Sequence, residues 1–356
     1  MRPWSPALRR QHHVEAAYGP ARLRSVLLRP CRWLLSICLG LGLAGGAAAQ
    51  APSESHASCA TTLTEEPIAP VPSPPVADPK KLALGERLFA DPRLSARGDL
   101  ACSSCHDIHS NGAGGRWASV KSNVKASIAQ DDARDKSKPR FDTLTIFNAA
   151  LNFRLNWEGD VRTFAAQIES SLENPENMRT SMNDVVRKLN ADPEIAEQFR
   201  AAYGRDPDRD SFLDAMVTFE QSLLTPGSRF DRWLGGDTSA LSDQERDGYR
   251  LFKSLGCSSC HQGVNIGGNL MQRQGIFQPL VPGKPTIVRV PSLRNVATTA
   301  PYFHNGSAPT LADAIRRMAA AQLDRTLSDQ QVNSLVAFLQ SLTGTFRGAP
   351  VSEARQ

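Results

Sequence analysis

The chain has 356 residues, 41 of them lysine or arginine against 36 aspartate or glutamate, for a formal net charge of +5. Seven arginines and one glutamate of that balance fall in residues 1–49, so the 307 residues that follow are close to neutral at −1. With no concentrated Lys/Arg patch interleaved with aromatics, this gives no basis for nucleic acid binding, and the remaining length suits two compact domains.

At the N-terminus Arg22, Arg24, Arg29 and Arg32 lead into the apolar stretch from Trp33 to Ala44 and then the small-residue run Ala47-Ala48-Ala49-Gln50. This pattern predicts an export signal over 1–49, cleaved after Ala49, and a periplasmic mature protein. The apolar core is short and broken by glycine, which argues against a retained membrane anchor. Residues 50–79, rich in proline at Pro67, Pro70, Pro72, Pro74 and Pro75, read as a flexible leader. Cys31 and Cys38 leave with the signal, and Cys59 in the leader carries no signal of function.

The chain then contains one pattern twice. Gly85-Glu86-Arg87-Leu88-Phe89 precedes Cys102-Ser103-Ser104-Cys105-His106, and Gly248-Tyr249-Arg250-Leu251-Phe252 precedes Cys257-Ser258-Ser259-Cys260-His261. C-x-x-C-H is the attachment site of c-type haem: the thiols add to the haem vinyl groups and the histidine supplies the proximal nitrogen to iron. A redox dithiol or a zinc site would leave the histidine after both copies unexplained. Two covalent haems c are therefore expected, on Cys102, Cys105 and His106 and on Cys257, Cys260 and His261. The first unit carries an extra segment, Ala90 to Gly98, before its haem motif.

Elsewhere apolar residues recur at helical spacing: Phe164, Ile168, Leu172; Val185, Val186, Leu189; Phe212, Leu213, Met216, Val217; Val332, Leu335, Val336, Leu339. Ser328 and Gln331 form a capping box for the last helix, and Gly344 marks its end. Strand signals are few. Pro226-Gly227 and Gly235-Gly236 bracket a connection. The reading is a mostly α protein of two cytochrome c-like haem domains packed together, over 80–235 and 236–344, with a tail over 345–356.

From Lys80 to Gly344 the chain resembles the bacterial dihaem cytochrome c peroxidases, a family that includes the dihaem enzyme completing the tryptophylquinone cofactor of methylamine dehydrogenase. The resemblance rests on Leu84-Gly85-Glu86-Arg87-Leu88-Phe89, Phe147-Asn148-Ala149, Leu293-Arg294-Asn295-Val296, Pro301-Tyr302-Phe303-His304-Asn305-Gly306 and Ser341-Leu342-Thr343-Gly344. It implies an N-terminal haem where hydrogen peroxide reacts, a C-terminal haem accepting electrons from a small soluble donor such as a cytochrome c, and one calcium ion. It also raises a homodimer, for which the sequence itself offers no interface.

The resemblance assigns Met318 as the ligand opposite His261; by spacing alone Met318 reads as a core residue of its helix, and Met271 is the rival ligand. Trp157 matches the tryptophan between the haems. Pro175-Glu176-Asn177-Met178 aligns with the segment bearing the family's catalytic glutamate, and puts Asn177 at its position with Glu176 adjacent. A neutral amide cannot shuttle a proton, whereas a carboxylate can act as general base and then acid. Asp142, Thr299 and Pro301 match the calcium positions, and hard oxygen donors suit that ion. His304 is expected to serve structure or a haem propionate. The chain departs from many relatives in having no histidine between His109 and Trp157 to cap the first iron. His109 follows His106 too closely to do so, and Lys121, Lys125 and Met178 are weaker caps. Two other readings stay open: a dihaem oxidase acting on a protein or organic substrate, and a non-catalytic electron carrier or redox sensor. The tyrosine that caps the second haem in the tryptophylquinone-forming relative has Met318 as its counterpart here.

Overall fold

The structure is a computed structural model and describes residues 66–114, 141–283 and 285–353. Residues 1–49, read from the sequence as an export signal, and Cys59, Lys121 and Lys125 lie outside the described residues. No helix among the described residues is long and apolar enough to cross a membrane.

Helix α1, Pro79–Phe89, starts where Asp78 accepts hydrogen bonds from the backbone N–H groups of Lys80 and Lys81, with proline at a position that needs no donor. It crosses α5, Arg209–Gln221, and α2 (Phe164–Glu173), α3 (Met182–Asn190) and α4 (Pro193–Tyr203) pack around this pair. Leu84, Leu88, Phe89, Ile168, Val185, Ile195, Phe212 and Phe219 fill the core between them. A second core gathers Phe230 of α6 (Arg229–Leu234), Tyr249 and Phe252 of α7 (Asp243–Ser254), Ala314 of α8 (Leu311–Leu323) and Leu335 and Phe338 of α9 (Asp329–Gln340). The helical spacings read from sequence all fall in helices. The bracketed connection holds a helix of its own, α6.

The two cores are built alike. At the α1–α5 crossing a Cβ on Gly85 would stand 2.1 Å from the Ala215 carbonyl oxygen, and at the α7–α9 crossing a Cβ on Gly248 would stand 2.0 Å from that of Ser334. Glycine at the same place in both repeats lets the helix backbones touch. Two short antiparallel pairs complete the fold: β1 (Met271–Arg273) with β2 (Ile287–Arg289), and β3 (Thr345–Phe346) with β4 (Ala349–Pro350).

Three local readings gain detail. The capping box holds, since Gln331 N–H donates to Ser328 Oγ and Ser328 N–H donates to Gln331 Oε1. Helix α9 is already capped by Ser341, and Gly344 is small for another reason: a Cβ there would lie 1.9 Å from the Thr225 carbonyl oxygen. Residues 66–71, inside the span read as a flexible leader, are fixed against the second core. Ile68 is buried, Pro67 accepts from Gly263 N–H, and the Ala69 carbonyl accepts from Arg294.

Candidate haem sites

In both motifs a single 3-10 turn, Cys102–Ser104 or Cys257–Ser259, brings the second cysteine round, and the histidine N–H donates to the carbonyl of the first cysteine at 2.9 and 3.0 Å. The loop then returns under the imidazole. His106 Nδ1 lies 3.2 Å from Gly112 O, and His261 Nδ1 lies 3.3 Å from Ile266 O. A carbonyl oxygen only accepts, so Nδ1 carries the proton and Nε2 keeps its lone pair for a metal. Desolvation holds both imidazoles below their usual range, His261 at about 4, so neither is a cation at neutral pH. Burial pushes the thiols of Cys102, Cys105 and Cys257 up, Cys102 to about 12 and Cys257 to about 11. None of the four motif cysteines is in a disulfide.

The second motif opens on a cavity of about 260 Å³ whose wall includes Cys257, Cys260, His261 and Met318. Phe252, Leu255, Leu293, Phe303, Leu311 and Ile315 make the rest of that wall largely apolar. An apolar slot bearing two cysteine sulfurs, a neutral imidazole and a thioether fits haem c, which needs thiols to anchor it and soft or nitrogen donors for its iron. Met271 contributes nothing to this wall; it is 39% exposed, with its sulfur against Gly159. The strand between is still close, since Gln272 Nε2 stands 3.8 Å from Cys260 Sγ.

Trp157 lines the same cavity, its Nε1 donating to Asp142 O at 2.8 Å and its ring meeting His304 edge-on at 6.3 Å. His304 is buried, and its Nδ1 has no hydrogen-bond partner among the described residues. Asp142, Thr299 and Pro301 also line the cavity, and Asp142 N–H donates to His304 O at 2.6 Å. No group of three or more His, Cys, Asp or Glu side chains able to hold a metal occurs among the described residues; a cation here would depend on backbone oxygens.

Glu176 and Asn177 sit exposed on the turn after α2, where Asn174 Oδ1 accepts from Glu176 N–H and Asn177 N–H donates to Asn174 O. Met178 is in the first core, and His109 is exposed. Sequence reasoning passed over Arg289 and gave Arg294 no role beyond its place in the family motif; they are 3% and 2% exposed. Arginine is ordinarily a surface residue, and nothing in either neighbourhood marks it as buried.

The two loops and the helices around them define a c-type cytochrome with two covalently held haems. Residues 79–239 match the family described as di-haem cytochrome c peroxidase, and residues 245–343 match cytochrome c. The cytochrome c551 peroxidase of Nitrosomonas europaea is 34% identical over 304 residues, spanning 81% of this chain and 87% of that protein. The cytochrome c peroxidase Ccp of Escherichia coli is 35% identical over 299 residues, 79% of this chain but 62% of that longer protein. Among solved structures, a MauG-like protein associated with microbial copper homeostasis shares the fold with a TM-score of 0.61 at 24% identity, covering 77% of this chain and 93% of that one. The chain belongs to the dihaem cytochrome c peroxidase family and is an oxidoreductase of that class.

Proposed function

We propose that this chain is a periplasmic peroxidase that takes two electrons from a small soluble cytochrome c and, with two protons, reduces one hydrogen peroxide to two water molecules. The observation that carries the reading is the asymmetry of two otherwise matching loops: a methionine shares the cavity of His261, whereas His106 has no histidine downstream in its own half to face it. Haem c at the two motifs supplies reversible one-electron redox chemistry and an iron able to take peroxide.

The residues have distinct parts in this reading. Cys102 and Cys105, and Cys257 and Cys260, hold the cofactors as thioethers, and His106 and His261 present Nε2. Met318 gives the second site a thioether, which favours the reduced metal and so suits electron storage. Trp157, tied to Asp142 O and packed on His304 in the wall of the second cavity, offers an aromatic relay toward the first. Glu176 is the group proposed to move a proton between the peroxide oxygens, with Asn177 able to orient by hydrogen bonds alone. Asp142 with the Thr299 and Pro301 carbonyls is the proposed calcium site.

The test is steady-state peroxide consumption by the haem-loaded, calcium-supplied protein with reduced cytochrome c, starting from oxidised and from pre-reduced enzyme. Replacing His106 by glycine should abolish turnover while the Met318 site stays reducible. Unchanged turnover in that variant would remove peroxide chemistry from the first motif, and no turnover in the parent would move the reading to electron transfer or to another substrate.

A further inference from the structure

The second half of the chain buries two arginines, and only one of them is satisfied by protein. Arg294 pairs with Asp231 at 2.7 Å and donates to the carbonyls of Val264 and Ala69 at 2.9 and 2.7 Å. Arg289 donates its Nε to Asn156 O at 2.9 Å, and its Nη1 has no hydrogen-bond partner among the described residues. No carboxylate pairs with it there, and desolvation alone displaces it, lowering its guanidinium to about 10. A guanidinium shut away from water without an anion is costly, so a counter-charge is missing from the list of protein groups.

The position of Arg289 says where that counter-charge belongs. Arg289 is one of the residues that wall the cavity holding Cys257, Cys260, His261 and Met318. Its backbone N–H donates to Trp157 O at 2.7 Å, and its Nε bond to Asn156 O holds the guanidinium beside the same segment. The other unsatisfied buried nitrogen in that wall, His304 Nδ1, belongs to a ring packed on Trp157. Two unsatisfied buried nitrogens therefore belong to residues in contact with Trp157, in a wall that is otherwise mostly apolar. Haem c brings two carboxylates to such a cavity, and a planar guanidinium matches a carboxylate in shape as well as charge.

We propose that Arg289 is a positioning residue that would hold a propionate of the haem at His261. The clamp rests on the assignment of a haem to the second motif. Through its bonds to Asn156 and Trp157 it would join the cofactor to the segment proposed to relay electrons. A cation held on the propionate offsets negative charge next to the iron and so favours the reduced state.

The experiment uses the full haem-loaded chain with Arg289→Gln and Arg289→Lys. Haem content per chain and the spectrum of the second site come first: absence of haem at His261 in the parent refutes the assignment beneath the proposal, and is read independently of either variant. Equilibrium redox titration should then show a lower midpoint potential for the first reduction step in Arg289→Gln and a value near the parent in Arg289→Lys. The resonance Raman band of the propionate bend should shift in both, because a one-point ammonium replaces a fork or nothing does. An unmoved propionate band in Arg289→Lys, or an unmoved band and potential in Arg289→Gln, overturns the clamp. Should Arg289→Gln fail to mature, the lysine variant alone decides by its propionate band.

Discussion

A thioether can bind iron only from inside the haem slot, and in that respect Met318 and Met271 differ. Met318 is in the cavity wall with His261, and Met271 is on the surface against Gly159. Met318→Ala is expected to turn the second ferric haem from low spin to high spin and to lower its potential, while Met271→Ala leaves both unchanged; absorption and electron paramagnetic resonance spectra check this, and the reverse result would transfer the role to Met271. Sequence spacing alone read Met318 as core, because a methionine on the buried face of a helix has the same periodicity whether it packs or ligates. Arg289 was illegible for the complementary reason, since burial of a charged side chain depends on which segments close over it. Glu220 on α5 is a third such case. It is 7% exposed, and burial pushes its carboxyl up to about 8. A raised carboxyl favours the fold fully below the unfolded value near 4.5, and this contribution is lost as pH rises toward 8. Stability should therefore decline across that window by on the order of 1.4 kcal/mol per pH unit at most. Glu220→Gln should flatten the decline, as followed by denaturant melts at pH 5 and pH 8, and a parent whose stability is level between those values would contradict it.

Among elements, the repeated helix pairs were legible because glycine and the apolar residues after it recur in sequence just ahead of each haem motif. Their closeness was not legible, since only the folded crossing reveals that Gly85 faces Ala215 and Gly248 faces Ser334 across backbone contacts. A methyl group at Gly248 would meet the Ser334 carbonyl at 2.0 Å and Phe338 Cβ at 2.7 Å, and neither atom is the end of a flexible side chain. Gly248→Ala should push α7 from α9 and cost about 1–3 kcal/mol, as overpacking of a close-packed interior does. The higher intrinsic helix propensity of alanine, worth about 1 kcal/mol, offsets only part of this. A thermal melt that moves upward in the variant would show that the crossing can relax without loss.

At the scale of the whole molecule, the two repeats exchange hydrogen bonds through the loops that follow His106 and His261. Asn111, in the loop after His106, donates to Thr298 O at 2.6 Å in the second half. Asn265, in the loop after His261, donates to Asn148 O at 3.1 Å in the first. Asn148 and Asn295 stand at matching places, each with a φ of 59° at the start of a 3-10 turn, and both donate to the same Thr225 Oγ1, at 2.7 and 2.9 Å. Asn295 Oδ1 in turn accepts from Gly344 N–H, whose missing Cβ lets the Thr225 carbonyl approach. One hydroxyl oxygen thus ties both repeats together, and Asn295 carries the tie on to the chain beyond α9. Removing it leaves two buried amide donors without an acceptor, each costing about 1–3 kcal/mol. Thr225→Val, which keeps the shape, is therefore expected to lose about 2–6 kcal/mol, while Thr225→Ser keeps most of the parent stability because the oxygen remains. Chemical denaturation followed at both haem spectra distinguishes a shared tie from a local one: the valine variant should destabilise the two haem environments together, and loss confined to one of them would restrict Thr225 to a local structural role.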